Sequence, residues 1–85
     1  MGNKELLQAA WGNLMIIEGY IEENNIERAK ALAAIMVAFL SEAGEKKLVT
    51  QANALLSLLE KEDIKEAKDV AKSLENDLVQ LVPQY

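Results

Sequence analysis

Between Ala31 and Leu40 the chain runs through ten residues, Ala-Leu-Ala-Ala-Ile-Met-Val-Ala-Phe-Leu, with no polar side chain among them. A helix that is apolar on every side is a buried helix, so the flanking segments are expected to cover this one, and a chain of 85 residues can do so only in part. Before it, the heptad series Leu7, Ala10, Leu14, Ile17 and Ile21 marks one face of a helix predicted over 4–23. Leu6, Trp11, Met15, Ile16 and Tyr20 widen that face on both sides. Gly12 and Gly19 lie seven residues apart on one side of the same helix, with Met15 between them. Each glycine costs about 1 kcal/mol relative to alanine in a helix interior. Either tertiary packing tolerates them, or they form a notch that lets another helix approach closely.

Asn24-Asn25 offers a left-handed helix end and a side chain able to cap the next helix. That second helix is predicted over 26–42, with a bulky stripe of Leu32, Ile35, Met36, Phe39 and Leu40. Ala31, Ala34 and Ala38 make a smooth second face, which is either mild surface or a close-packing seam for another helix. Gly44 has the position of a C-terminal helix glycine, and a third helix is predicted over 45–60. It is two-faced: Leu48, Ala52, Leu55 and Leu59 point inward, flanked by Val49, Leu56 and Leu58. Asp63-Ile-Lys-Glu66 has the form of a capping box, so a fourth helix is predicted over 64–82, its narrow stripe Ile64, Ala67, Ala71, Leu74, Leu78 and Leu81, stopped by Pro83. The expected fold is all-α: four antiparallel helices, arranged as two helical hairpins in one domain over 1–85.

The hairpins repeat. At an offset of 38 residues, Ile26, Ala29, Lys30, Ala33, Met36 and Leu40 fall on Ile64, Ala67, Lys68, Ala71, Leu74 and Leu78, while Ile17, Tyr20 and Ile21 fall on Leu55, Leu58 and Leu59. With Tyr20 nine residues before Ala29, and Ala33 and Met36 in the small and apolar positions after it, each hairpin resembles a tetratricopeptide-type unit. The match departs from that family in its 38-residue spacing, where the family has about 34, in Ile17 and Leu55 at the helix-A glycine position, and in the lack of a closing proline. The resemblance implies stacked hairpins and a peptide-binding surface. A plain antiparallel bundle explains the same pattern, because every inter-helix loop is short.

Composition narrows the chemistry. The chain has no cysteine and no histidine, so disulfides, thiolate or imidazole metal sites and histidine-based triads are excluded. The hydroxyls of Ser41, Thr50, Ser57 and Ser73 lie at helix ends or on polar faces with no base to activate them, and Trp11 and Tyr20 read as core-edge aromatics. An enzyme is not expected, nor a cofactor or a metal. Fourteen acidic against nine basic residues disfavour nucleic acid as a partner. The apolar run is half the length of a membrane span, and Met-Gly-Asn-Lys-Glu-Leu-Leu lacks the features of a signal peptide, so a cytoplasmic protein is expected.

The carboxylates carry one pattern. Glu18 and Glu22 stand i, i+4; Glu22, Glu23 and Glu27 flank the first inter-helix turn, and Glu60, Glu62, Asp63 and Glu66 flank the third. An up-down arrangement puts both turns at one end, where these seven acids face only Arg28, Lys61 and Lys65. The function expected from these features is protein–protein interaction, as adaptor, chaperone or small regulator. A homodimer would use the face carrying Gly12, Met15, Gly19, Ala31, Ala34 and Ala38. The alternative is a small acidic inhibitor or immunity-type protein, a monomer offering Glu22, Glu23, Glu62 and Asp63 to one target.

Overall fold

The computed structural model describes residues 3–82, which form four helices: α1 (Asn3–Glu22), α2 (Ile26–Ala43), α3 (Lys46–Glu60) and α4 (Ile64–Val79). Local chemistry sets their ends. The Asn25 side chain accepts the Arg28 amide at the start of α2, and Asp63 accepts the Glu66 amide at the start of α4, both at 3.4 Å. Gly44 closes α2 in the left-handed region at φ 77°, donating to the carbonyls of Leu40 and Ser41.

α4 stops three residues short of the expected 82. The amides of Leu81 and Val82 both go to the Leu78 carbonyl, at 2.9 and 3.1 Å, and the chain turns so that Val82 rather than Leu81 meets the core. Leu81 is 44% exposed as a result. Pro83, expected to stop the helix, lies outside the described residues.

Each helix packs against its two neighbours in a ring: α1 with α2, α2 with α3, α3 with α4, and α4 back against α1. The diagonal pairs do not approach one another. This is a four-helix bundle. A stack of repeated hairpins would set α1 beside α3 by translation and leave α4 away from α1, so the two hairpins face each other about a pseudo-twofold axis instead.

Apart from Leu6 at the start of α1, the helices bury a four-three series: Leu7, Ala10, Leu14, Ile17 and Ile21; Ala29, Ala33, Met36, Leu40 and Ala43; Leu48, Ala52, Leu55 and Leu59; Ala67, Ala71, Leu74 and Leu78. In α2 this corrects the expected stripe. Met36 and Leu40 are buried, but Leu32 and Phe39 are half-buried and Ile35 is exposed, while the small residues Ala29, Ala33 and Ala43 take the core positions. The first turn of α2 gives the direction: among Glu27, Arg28, Ala29 and Lys30, Ala29 is apolar and fully buried, and Ile26 before it packs against the core. With Ala29 inward, the four-three series Ala33, Met36, Leu40 and Ala43 follows on the same face. The ten-residue apolar run is therefore not enveloped; its outer side faces solvent.

The 38-residue repeat extends to single hydrogen bonds. In the first and third turns, Asn25 and Asp63 donate to Tyr20 and Leu58 at 2.8 and 2.9 Å, and Glu23 and Lys61 to Gly19 and Ser57, both at 3.1 Å. Asn24 and Glu62 each take the left-handed conformation, at φ 60° and 59°.

Candidate functional site

Three features of the surface bear on function: the outer side of the α1/α2 hairpin, the end of the bundle carrying the first and third turns, and the seam between α1 and α4.

On the first of these, Arg28 of α2 lies over the Tyr20 ring of α1 at 6.0 Å, and Asn3 donates to the Ala43 carbonyl at 3.2 Å at the far end. Those two contacts fix the antiparallel register. Ile16 stands one turn before Tyr20 on its helix, and Ile35 two turns after Arg28, so both lie on one broad side of the hairpin, about one turn apart in level. They are 49% and 45% exposed. Ala31, Ala34 and Ala38 are exposed alongside. Of the α1 residues expected with them, Gly12 is half-buried and Gly19, though exposed, lines the groove toward α4 instead, and a Cβ built on either meets nothing within 4 Å. No helix of the same chain presses on the glycines. Met15 is partly buried against the core, three residues before Glu18 and so on the α4 side of the helix, away from Ile16.

The first and third turns do share an end. A shallow groove there is lined by Asn24, Asn25, Ile26, Glu27, Lys30 and Glu62. Glu22, Glu23, Glu62 and Asp63 are all exposed. Two cations beyond the Arg28, Lys61 and Lys65 expected at this end reach into it. Lys30 pairs with Glu27 at 2.9 Å, and Lys68 with Glu22 at 3.5 Å. The Lys30 ammonium is held above the ordinary lysine range, first by its hydrogen bond to Glu27 and then by the field of Glu27, Glu60 and Glu62. Lysines inherited through the repeat thus offset part of the acidity. Among the described residues no group of three or more acidic side chains is placed to hold a metal ion, and no helix is long and apolar enough to cross a membrane.

The α1/α4 seam was not legible as a site in the sequence. It holds a groove of about 460 Å³, with Gly19, Ile21 and Ala71 on its walls and Glu18, Glu22, Lys68, Asp69 and Lys72 around them. Glu18 of α1 lies at the edge of this groove, with Glu75 and Lys72 of α4 among the charged groups acting on it. Burial raises the Glu18 pKa most, the hydrogen bond with Glu75 and the repulsion of its charge add to this, and Lys72 opposes them; the result is about 7. Lys72 itself pairs with Glu75 at 3.5 Å. The signal in the sequence was a break in the repeat: the residues 38 positions away from Glu18 and Glu75 are Leu56 and Val37.

Comparison with known protein families, with characterised proteins and with solved structures finds no match to this chain.

Proposed function

We propose that the protein is a non-enzymatic protein-interaction module that pairs with a second copy of itself through the outer side of α1 and α2. The observation that carries this reading is the placement of Ile16 and Ile35, two large apolar residues about half exposed, on the same side of one hairpin and beside the exposed alanines of α2. In a bundle each helix needs to bury only one stripe, and Leu or Ile on the outside gains nothing for the monomer. Two helices of 20 and 18 residues side by side offer a face on the order of the ~800 Å² per partner that stable dimers use. Alanine lets a facing helix come close, and the two isoleucines would be its anchors.

Sedimentation equilibrium up to roughly 100 μM tests this, since pairing is governed by mass action. The expected result is a dimer in the native chain and a folded monomer in Ile16→Glu with Ile35→Glu. A native chain that stays monomeric at that concentration removes the reading.

A second reading is supported by the meeting of the first and third turns at one end: a monomer that presents Glu22, Glu23, Glu62 and Asp63 to a basic protein target. Reversing those four charges together would abolish every salt-sensitive interaction in pulldown. Unchanged binding at low salt would leave the acidic end with solubility as its only role.

A further inference from the structure

The outer sides of the two hairpins correspond through the repeat, yet different residues fill them. Along α2, Arg28, Ile35 and Glu42 stand seven residues apart, so they share one stripe of the helix, and all three are exposed. Their counterparts 38 positions on are Glu66, Ser73 and Gln80. Ala31 and Ala38, about one turn to either side of Ile35, correspond to Asp69 and Asn76. The first hairpin therefore carries an apolar centre with a cation at one end and an anion at the other, a pattern its counterpart lacks. Such a stripe is its own complement under a half-turn. A twofold axis lying in the interface, at right angles to α2 and level with Ile35, exchanges the Arg28 end with the Glu42 end. We propose that the protein self-associates in an antiparallel, twofold arrangement, α2 against α2 of the second copy, with Ile35 at the axis and Arg28 of each copy beside Glu42 of the other.

This rests on the self-association proposed above and adds its orientation. The rise of a helix sets Arg28 and Glu42 about 21 Å apart, near the two ends of α2. The charges then lie at the rim and the isoleucine and alanines at the centre, the usual order of a protein interface. Neither charge is neutralised within its own chain. Arg28 lies over the Tyr20 ring at 6.0 Å, which leaves its positive charge uncompensated, and among the described residues neither Arg28 nor Glu42 forms an ion pair. Ala31 and Ala38 leave room beside Ile35 for the side chains of a facing helix. Ile16, about one turn from Ile35 in level, extends the apolar centre onto α1. A parallel pairing would set Arg28 against Arg28 and Glu42 against Glu42, and both contacts repel. An exposed ion pair adds little affinity by itself, but two attractions in one orientation against two repulsions in the other select the antiparallel one.

The test follows the monomer–dimer equilibrium of the full chain by sedimentation at low salt. Glu42→Arg puts like charges together at both ends of the interface and should weaken pairing roughly tenfold, and Arg28→Glu should do the same. The double swap, Arg28→Glu with Glu42→Arg, re-forms both pairs in reverse and should bring the dissociation constant back to within about threefold of the native value. Glu42→Arg breaks no ion pair or hydrogen bond among the described residues, so its effect is free of the Tyr20 contact that Arg28→Glu removes. Because the chain has no cysteine, Arg28→Cys and Glu42→Cys each carry a single thiol; mixed and oxidised, they should cross-link to each other in preference to themselves. The orientation is overturned if Glu42→Arg pairs as tightly as the native chain, if the double swap stays as weak as the single variants, or if each thiol variant cross-links chiefly to itself. Any of these with the native chain still dimeric removes the orientation alone, whereas a native chain that stays monomeric removes self-association and the orientation with it.

Discussion

The α2/α3 and α1/α4 seams occupy equivalent places in one pseudo-symmetric bundle, yet positions 37 and 56 carry Val and Leu packed against the core where the equivalent positions 75 and 18 carry glutamates. The middle of the core beneath them is shared. Ile17 and Leu55, Ala29 and Ala67, Ala33 and Ala71, Met36 and Leu74, and Leu40 and Leu78 are all buried in matched pairs. The difference teaches that a four-three core is sufficient to bring two hairpins together, and that the layer just outside it decides whether a seam is permanent or conditional. Apolar side chains in that layer stabilise association at any pH. A carboxyl whose pKa is raised to about 7, as at Glu18, makes part of that stability depend on pH.

The most severe way to break the contrast is to copy the carboxyl pair into the apolar seam. Val37→Glu with Leu56→Glu removes two packed side chains and adds partly desolvated charge, and should cost about 2–4 kcal/mol. On a bundle of this size that is a large part of the total stability. Thermal melts followed by circular dichroism should show the loss to be greater at pH 8 than at pH 5; equal losses would mean that proximity of two carboxyls is not what makes a seam pH-sensitive.

The reverse exchange sharpens it. Glu18→Leu with Glu75→Val gives the α1/α4 seam the chemistry of its counterpart and should stabilise the chain by about 1–3 kcal/mol at pH 8, as replacement of buried charged pairs by packed apolar groups often does. Urea denaturation at pH 5 and 8 should then give the same midpoint.

In the native chain the sign of the pH effect comes from linkage. Glu18 binds its proton more tightly folded than unfolded, with pKa about 7 against 4.5. Its contribution is fully present below about pH 4.5, declines as pH rises and is gone above about 7. Because the groove is open to solvent, screening reduces the effect to about 1 kcal/mol. A urea midpoint that rises over this range would contradict the raised pKa of Glu18.

The smallest effect concerns the matched turns. Asn24 and Glu62 share the left-handed conformation, which asparagine adopts readily and glutamate does not. Glu62→Asn should therefore stabilise by about 0.5–1 kcal/mol. If it is neutral or destabilising, Glu62 is held by contacts that its counterpart lacks.

Much of this architecture can be read from the chain alone. The heptads of α1, α3 and α4 give their buried faces, since 3.6-residue periodicity and polar outer positions leave one orientation open. Asn25, Gly44 and Asp63 mark helix ends because caps act within a few residues of themselves. The repeat, too, is local pattern laid out twice, and it contained the α2 core that the bulky residues concealed: Ala29, Ala33, Met36 and Leu40 align with the buried stripe of α4. Size misleads there because helices pack closest through small residues, and a run with no polar side chain gives no sign of which way it turns.

What tertiary structure alone decided is who meets whom. Periodicity assigns each helix a face but not a neighbour, and hairpins of the same pattern can stack by translation or close into a ring. Closure brings α4 to α1 and carries Lys68 to Glu22 and Glu75 toward Glu18, while the register of α2 on α1 places Ile16 on the same side as Ile35. These residues are 19 to 57 positions apart in the chain. Contacts across such distances depend on how whole helices dock, and the energy that selects the docking is spread over the entire core rather than written at the residues that come to touch.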